Sequence, residues 1–316
     1  MREVVLAVDI GGTKTAAALV DRESIVSQVH NMSTPGAEGP DAILATVREL
    51  ALRLLHGSAA THVRAIGIGT AGVVDVPRGA IISATSTLAR WAGTEVAAEV
   101  ATLVEPVIGT RVPVHVQNDV DAFAFGELQR GAARGANGAL LVAVGTGIGA
   151  SVIVDGRIVR GARGVAGEIG HLPISGAAHL TCPCGRNGHL EALGSGVGMH
   201  RHYLSLGGDS STADGRAVAD LAVNGDALAA QAVTDSAAAI GRGLAAMVCL
   251  LDPERIVIAG SVADAGALWW GAMERTMRGE LIDVQNNIAL TRGELGALAP
   301  LHGAAASAWM MIDGVL

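Results

Sequence analysis

The chain has 316 residues, of which half are apolar and only 2% aromatic, and its formal net charge is −8. A chain of this length suggests two domains, and the scarcity of aromatic residues means that their cores consist mainly of Ala, Val, Leu and Ile. The acidic balance, with no block of Lys and Arg, excludes the basic surface typical of nucleic-acid-binding proteins, so no nucleic-acid partner is expected.

The hydropathy pattern does not predict a membrane span, although the mean hydropathy is +0.43. The longest stretch without charge, residues 135–154, contains five glycines and therefore predicts two strands around a turn. The first residues lack the pattern of a secretory signal. The three cysteines, two of them separated by a single residue, argue against a disulfide framework. We expect a cytoplasmic protein with no membrane partner.

The first structural pattern along the chain is a strand, a glycine turn and a second strand. Residues 4–8 (VVLAV) predict a buried strand, residues 9–15 (DIGGTKT) the turn, and residues 16–20 the next strand. Asp9 at a strand end, beside Gly11, Gly12, Thr13 and Lys14, suits the handling of a Mg²⁺-bound phosphate. The spacing is not that of a P-loop.

Helices and short strands are predicted between this hairpin and a second one. Residues 41–55 have helical apolar spacing, residues 65–69 predict a strand that runs into a loop, and residues 112–116 predict a strand that ends near Asn118 and Asp119. Asn and Asp are common helix caps, and a cap at this position is compatible with a catalytic role for Asp119.

The strand and glycine-turn pattern returns about 136 residues later. Residues 140–144 predict a strand, residues 145–149 (GTGIG) a turn, and residues 151–154 a strand. Two unrelated hairpins would give the same pattern, but the matching order favours a duplicated α/β domain in which each copy presents glycine N–H groups to phosphate. Residues 207–215 predict a surface loop. Residues 227–251 and 304–312 predict helices, and residues 255–259 predict a strand that ends at Gly260.

The ordered series of motifs resembles the ROK family of sugar kinases, in the actin-like ATPase superfamily. The segments that carry the resemblance are residues 9–14, 67–72, 118–119, 145–149, 167–171, 182–186, 251–253 and 303–305, with Gly188 and Glu191. The resemblance implies two actin-like (ribonuclease H-like) α/β domains with an interdomain cleft. It places residues 1–118 and a helix at about 300–316 in one lobe, and residues 119–299 in the other.

The resemblance also implies the activity, an ATP- and Mg²⁺-dependent transfer of phosphate to the 6-hydroxyl of a free hexose. Asp119 is then the catalytic base. The residues implied to bind sugar are Gly72, Asn118, Asp119, Glu168, His171 and Glu191. Those implied to bind the nucleotide and its phosphates are Asp9, Gly11, Gly12, Thr13, Lys14, Gly145, Thr146, Gly147 and Gly260. Glu168, His171 or Glu191, each taken alone, could instead be a solvated charge or a structural histidine.

A structural zinc ion is a further implication of the resemblance, held in the family by one histidine and three cysteines. His171, Cys182 and Cys184 match three of the ligands, and His189 stands where the family usually has cysteine. Histidine nitrogen is a competent zinc ligand, so a Cys₂His₂ site is expected. The alternatives are that zinc is weakened or lost, or that His179 is the fourth ligand.

Substrate and partners are less closely defined. Glucose-type members have an asparagine-leucine pair shortly before a tryptophan, whereas residues 83–91 (SATSTLARW) contain no asparagine. Glucose is the expected substrate, and N-acetylmannosamine or another N-acetylhexosamine is the alternative. The phosphate donor is ATP or polyphosphate. A homodimer is implied by the resemblance. A DNA-binding repressor is disfavoured because only eight residues precede Asp9. A sugar sensor without catalytic activity is disfavoured because Asp9, Asp119 and both glycine turns are present.

Overall fold

A computed structural model describes residues 2–56 and 61–315, and the chain divides into two compact units. The first unit comprises Met1–Gly135, Gly161–Val165 and Glu294–Leu316, and the second comprises Ala136–Arg160 and Ala166–Gly293. The chain therefore passes from one unit to the other more than once.

The first unit contains a mixed five-stranded sheet of order β3-β2-β1-β4-β7. Strand β1 pairs antiparallel with β2 and parallel with β4, and β4 pairs parallel with β7. Strands β5 and β6 form a separate hairpin. The strands are β1 (Arg2–Ile10), β2 (Lys14–Val20), β3 (Val26–Ser33), β4 (Thr61–Thr70), β5 (Val73–Asp75), β6 (Ala80–Ser83) and β7 (Val114–Asn118). The helices are α1 (Pro40–Leu55), α2 (Val96–Ile108), α3 (Asp119–Arg130) and, near the end of the chain, α9 (Ala299–Ile312).

Both faces of this sheet are buried, which explains why β1 is a continuous apolar run. Alternate residues of a strand point to opposite faces, so Leu6 and Val8 pack with the apolar residues of α1 and α2. Val5 and Ala7 point the other way and pack against α9, around Leu301. Burial on both faces removes the polar alternation that an exposed sheet would show.

The second unit repeats the topology of the first, with a sheet of order β10-β9-β8-β11-β12. Strand β8 pairs antiparallel with β9 and parallel with β11, which pairs parallel with β12. The duplicated α/β domain that the two hairpins predicted is confirmed. The strands are β8 (Ala139–Val144), β9 (Ile148–Val154), β10 (Arg157–Ile158), β11 (Arg255–Ala259) and β12 (Ala289–Arg292). The helices are α4 (Leu190–Gly194), α5 (Gly196–Ser205), α6 (Gly215–Val223), α7 (Ala227–Leu251) and α8 (Ala267–Glu280).

Helix α7 is the one described helix that is long and apolar enough to cross a membrane by length and composition. Its most apolar window is 56% buried. Val233, Ile240 and Leu244 on this helix belong to the core of the second unit. This burial is the pattern of a central core helix, which passes the same test of composition.

Helix α3 belongs to the first unit, whereas the sequence interpretation began the second lobe at residue 119. The physical reason is a close packing of α3 against α9. A Cβ atom added to Gly303 would lie 1.8 Å from the carbonyl oxygen of Ala122. One added to Gly126 would lie 2.0 Å from the carbonyl oxygen of Ala299. The two helices therefore touch backbone to backbone, and glycine is required at both contacts.

This contact predicts that Gly303→Ala destabilises the protein. Overpacking typically costs about 1–3 kcal/mol, which exceeds the roughly 0.5–1 kcal/mol that alanine gains over glycine within a helix. We expect a net loss of about 1–2 kcal/mol in the free energy of unfolding, measured by equilibrium urea denaturation. Gly279→Ala in α8 is the control, because its added Cβ would meet no atom within 4 Å. Equal stability of the two variants would contradict the packing argument.

Candidate functional site

The first glycine turn places a carboxylate at the end of the central strand of the first unit. Asp9 lies near the end of β1, directly beside Gly69 of β4 in the parallel pairing. The turn closes with the N–H of Gly11 donating to the carbonyl of Lys14, at 3.1 Å. The predicted residues Gly11, Gly12 and Thr13 therefore form one tight connection between β1 and β2, as the sequence indicated.

Asp119 is the first residue of α3 and follows β7 directly. The side-chain oxygen of Asn118 accepts from the N–H groups of Val120, at 2.8 Å, and Asp121, at 3.2 Å, so Asn118 caps the helix. Its Nδ2 donates to the carbonyl of Gly72, at 3.0 Å. The cap fixes the start of the helix and thereby the position of Asp119.

Gly69 brings the two carboxylates together, a role that sequence reasoning did not assign. A Cβ on Gly69 would lie 2.8 Å from the Cβ of Ala122, 3.6 Å from the Cα of Asp119 and 3.9 Å from an oxygen of Asp9. Any larger residue would push the start of α3 away from β1. The glycine-rich run at residues 67–72 is the sequence signal for this close approach.

The environment of Asp9 favours its protonated form when no cation is bound. The pKa of Asp9 is raised to about 7, with burial as the largest cause and the negative charge of Asp119 as the second, while the positive charge of Lys14 acts in the opposite direction. A divalent cation beside Asp9 would replace the proton, because it compensates the same negative charge. The two carboxylates and Lys14 therefore offer the charged groups that a metal-bound phosphate would need.

Residues 83–91, which differ from those of glucose-type members of the ROK family, contact the first glycine turn through Thr87. A Cβ on Gly12 would lie 2.5 Å from the Cγ2 of Thr87. Trp91 is buried, and its Nε1 donates to the Oγ1 of Thr70 at 3.2 Å. Thr87 was not among the predicted site residues, and nothing but its place before the tryptophan could have indicated it.

In the second unit, Glu191 supports the second glycine turn. Its Oε2 accepts from the N–H of Ile148 at 2.7 Å, and a Cβ on Gly147 would lie 2.6 Å from the same oxygen. The carbonyl of Gly145 accepts from the N–H of Gly196 at 2.8 Å. Glu191 and the turn at residues 145–147 are therefore in direct contact.

A cavity of about 620 Å³ opens beside this turn, entirely within the second unit. Gly260 has a φ of +91°, and a Cβ there would lie 2.3 Å from the carbonyl oxygen of Val144, so glycine is required at this position. The lining includes Thr146 of the predicted phosphate turn and Ser261, which follows Gly260. The sequence analysis did not assign the lining residues Gly196, His200, Asp214 and Arg216.

Four potential metal ligands converge in the second unit. One ligand atom from each of His171, Cys182, Cys184 and His189 lies within 4.8 Å of all the others. The Nδ1 of His171 is 3.7 Å from the sulfur of Cys182, and the Nδ1 of His189 is 3.2 Å from the sulfur of Cys184. Tetrahedral zinc with bonds of about 2.0–2.3 Å requires ligand separations of about 3.5 Å, so small shifts would complete the site.

The surroundings of this cluster decide between the candidate ligands. The exposed ring of His179 lies 6.1 Å from that of His202, and His179 is not part of the cluster. Burial raises the pKa of the Cys182 thiol to about 11, whereas the backbone N–H of Arg186 lowers that of Cys184. The Nε2 of His171 lies 3.5 Å from the Oε2 of Glu168. The cluster is therefore in contact with a residue that is predicted to bind sugar.

The family follows from a match that spans nearly the whole chain. The profile of the ROK family matches residues 5–310. The chain belongs to the ROK family. Two relatives from this family of proteins are a glucokinase of Streptomyces coelicolor and an N-acetylmannosamine kinase of Citrobacter koseri. The first is 30% identical over 95% of this chain and 96% of its own, and the second 31% identical over 81% and 83%.

Solved structures of ROK proteins share this fold. A ROK hexokinase from Thermus thermophilus superposes with a TM-score of 0.83, at 32% identity over 98% of this chain and 99% of its own. A ROK glucokinase from Streptomyces griseus, solved with glucose and AMPPNP, has a TM-score of 0.78, at 30% identity over 97% and 99%. The predicted actin-like α/β fold is confirmed.

The raised pKa of Asp9 predicts how stability depends on pH. Between pH 3.8 and about 7 the folded chain binds more protons than the unfolded chain, so the free energy of unfolding falls as pH rises through this window. The substituted side chain in the Asp9→Asn variant does not titrate, so the free energy of unfolding of this variant does not fall in this way. Without Mg²⁺, the variant should exceed the parent by up to about 4 kcal/mol at pH 8 and by little at pH 4.

Chemical denaturation at several pH values measures this difference. Asp41→Asn, which removes an exposed carboxylate from the first turn of α1, is the matched control and should not reproduce the gain at pH 8. Added Mg²⁺ should stabilise the parent more than the Asp9→Asn variant. A stability difference that is the same at pH 4 and pH 8 would show that burial of Asp9 does not control it.

Proposed function

We propose that this ROK-family sugar kinase transfers the γ-phosphoryl group of ATP to the 6-hydroxyl of a free hexose, with glucose as the first candidate. The observation that carries the proposal is the placement of Asp119 at the start of α3, beside Asp9 and the first glycine turn. Such a transfer needs a base for the attacking hydroxyl and a charge-compensated place for the phosphate. The glucokinase relative and the glucose- and AMPPNP-bound neighbour support the choice of substrates.

The proposed chemistry in the first unit is a proton transfer. The carboxylate of Asp119 accepts the proton of the 6-hydroxyl as the hydroxyl oxygen bonds to the γ-phosphorus and the bond to ADP breaks. Asn118 uses one N–H for Gly72, and a primary amide has a second N–H that can bind a sugar hydroxyl. Mg²⁺ bound near Asp9 would compensate phosphate charge, with Lys14 and the N–H groups of the turn.

The second unit is proposed to supply the remaining contacts. Glu168, His171 and Glu191 would bind sugar hydroxyls, because carboxylates accept and an imidazole can also donate hydrogen bonds. The turn at Gly145, Thr146 and Gly147 would bind phosphate through its N–H groups. The cavity beside Gly260 has a volume suited to the nucleoside of ATP.

The cluster of His171, Cys182, Cys184 and His189 is proposed to hold a structural Zn²⁺. Two thiolates and two imidazoles are a ligand set that zinc prefers. With Nδ1 of His171 on the metal, its Nε2 can donate to Glu168 or to a sugar hydroxyl, so the ion would fix the orientation of a sugar ligand.

N-acetylmannosamine is the alternative substrate, with other N-acetylhexosamines. The N-acetylmannosamine kinase relative is 31% identical over 81% of this chain, against 30% over 95% for the glucokinase. Residues 83–91 also lack the asparagine typical of glucose-type members. A homodimer stays a prediction that sedimentation can test, and a cytoplasmic location stays a prediction as well. A polyphosphate donor and a catalytically silent sugar sensor stay alternatives, which turnover assays with each donor can test.

The central prediction is that Asp119→Asn abolishes most turnover but little sugar binding. Asparagine keeps the size and can bond a hydroxyl but cannot accept the proton, so kcat should fall by about 10²–10⁴-fold. A coupled assay with ATP and a panel of glucose, mannose and N-acetylmannosamine measures this effect and identifies the substrate. Asp41→Asn should keep the parental rate. Turnover by Asp119→Asn at that rate would refute Asp119 as the base.

Metal analysis tests the zinc proposal. Protein purified without chelator should contain about one zinc ion per chain, a full structural site. Cys184→Ala should lose the metal and bind hexose more weakly, because His171 serves both. His179→Ala is the control and should retain zinc, since His179 lies outside the cluster. Zinc-free parent protein that binds hexose normally would contradict the proposal.

A further inference from the structure

A buried carboxylate in the first unit has no part in the proposed chemistry. The side chain of Glu127 is fully buried in α3. A carboxylate removed from water is costly unless donors compensate its charge. Glu127 therefore requires an explanation.

Three backbone N–H groups donate to this carboxylate. Ala132 donates to its Oε2 at 2.7 Å, Glu294 to the same oxygen at 3.1 Å, and Leu295 to its Oε1 at 2.9 Å. Hydrogen bonds to an ionised acceptor are roughly twice as strong as neutral ones. The carboxylate thus holds two chain segments that are far apart in sequence.

Both segments lie where the chain passes between the two units. The chain leaves the first unit after Gly135, three residues beyond Ala132, and returns to it for the last time at Glu294. The short excursion Gly161–Val165 into the first unit accounts for the two other passages. The side chain of Glu127 therefore binds both the first passage (near Ala132) and the last passage (Glu294 and Leu295) between the units.

The same helix carries the proposed catalytic base. Asp119 begins α3, and Glu127 lies about two turns, or roughly 12 Å, further along. The contacts of Gly126 and Gly303 hold α3 against α9 backbone to backbone, so α3 is rigidly placed in the first unit.

We infer that Glu127 is a positioning residue for phosphoryl transfer, which fixes both chain passages relative to the helix of Asp119. The inference rests on the proposed kinase function. Phosphoryl transfer depends on alignment of base, hydroxyl and phosphate, and a displacement of about 1 Å can reduce the rate about 10²-fold. Loosening the passages disturbs this alignment without touching a substrate ligand.

Two variants and one control test the role. Glu127→Gln keeps the shape but turns an –NH₂ group toward backbone donors, so at least one of the three bonds is lost. Gly131→Ala keeps the carboxylate but displaces it, because the added Cβ would lie 2.0 Å from its Oε2. Glu294→Gln removes the same charge at the same passage but leaves the backbone N–H in place, and its side chain is exposed.

Amide hydrogen exchange measures directly whether the three N–H groups stay bound to the carboxylate of Glu127. In both variants the amides of Ala132, Glu294 and Leu295 should exchange about ten-fold faster or more than in the control. Amides in β1 and β8 should be unchanged, which separates local release from general destabilisation. Unchanged exchange at all three amides in both variants would overturn the inference.

Kinetics then separate positioning from a purely structural role. At saturating hexose and ATP, kcat should fall about ten-fold in both variants and stay parental in Glu294→Gln. AMPPNP affinity should fall less than kcat, because the cavity proposed for the nucleoside lies wholly in the second unit and only the phosphate contacts involve the first. Lower thermal stability with parental kcat would make Glu127 merely structural. If the parent phosphorylates no sugar, the proposed function fails, and the exchange result alone decides whether Glu127 fastens the passages.

Discussion

The backbone contact between α3 and α9 is the constraint on which the first unit depends. Gly126 and Gly303 allow each helix to approach the carbonyl groups of the other, and no larger residue fits at either place. Through this contact α3 becomes part of the first unit, although the chain continues directly from it toward the second. The start of that helix positions Asp119, and its end positions Glu127.

Carboxylates in this protein perform different tasks according to their surroundings. Asp9 lies near Asp119 and is partly withdrawn from water, so its pKa rises and it is suited to exchange a proton for a cation. Glu127 is more deeply buried but accepts hydrogen bonds from three backbone N–H groups, which suits a structural role. Glu191 supports a glycine turn through one backbone bond. The number and kind of donors separates these roles.

The duplicated topology explains why each unit presents a glycine turn. In both sheets the central strand pairs antiparallel with the strand that follows the turn and parallel with a later strand. The two units then diverge after the shared pattern. The first adds two carboxylates near its turn, and the second adds a nucleoside-sized cavity and a Cys/His cluster.

The sequence by itself determined the strands and the glycine turns, because these features follow from short-range periodicity and from turns that require glycine. The proposed site residues and the metal ligand set with His189 came from the resemblance of its motifs to the ROK family. Only the tertiary structure decided that α3 packs with α9, that Gly69 brings Asp9 and Asp119 together, and that His179 lies outside the metal cluster. The tertiary structure alone also showed that the backbone N–H groups of Glu294 and Leu295 donate to Glu127. Contacts between residues so distant in the chain depend on how helices and sheets pack, and no local spacing reports that packing.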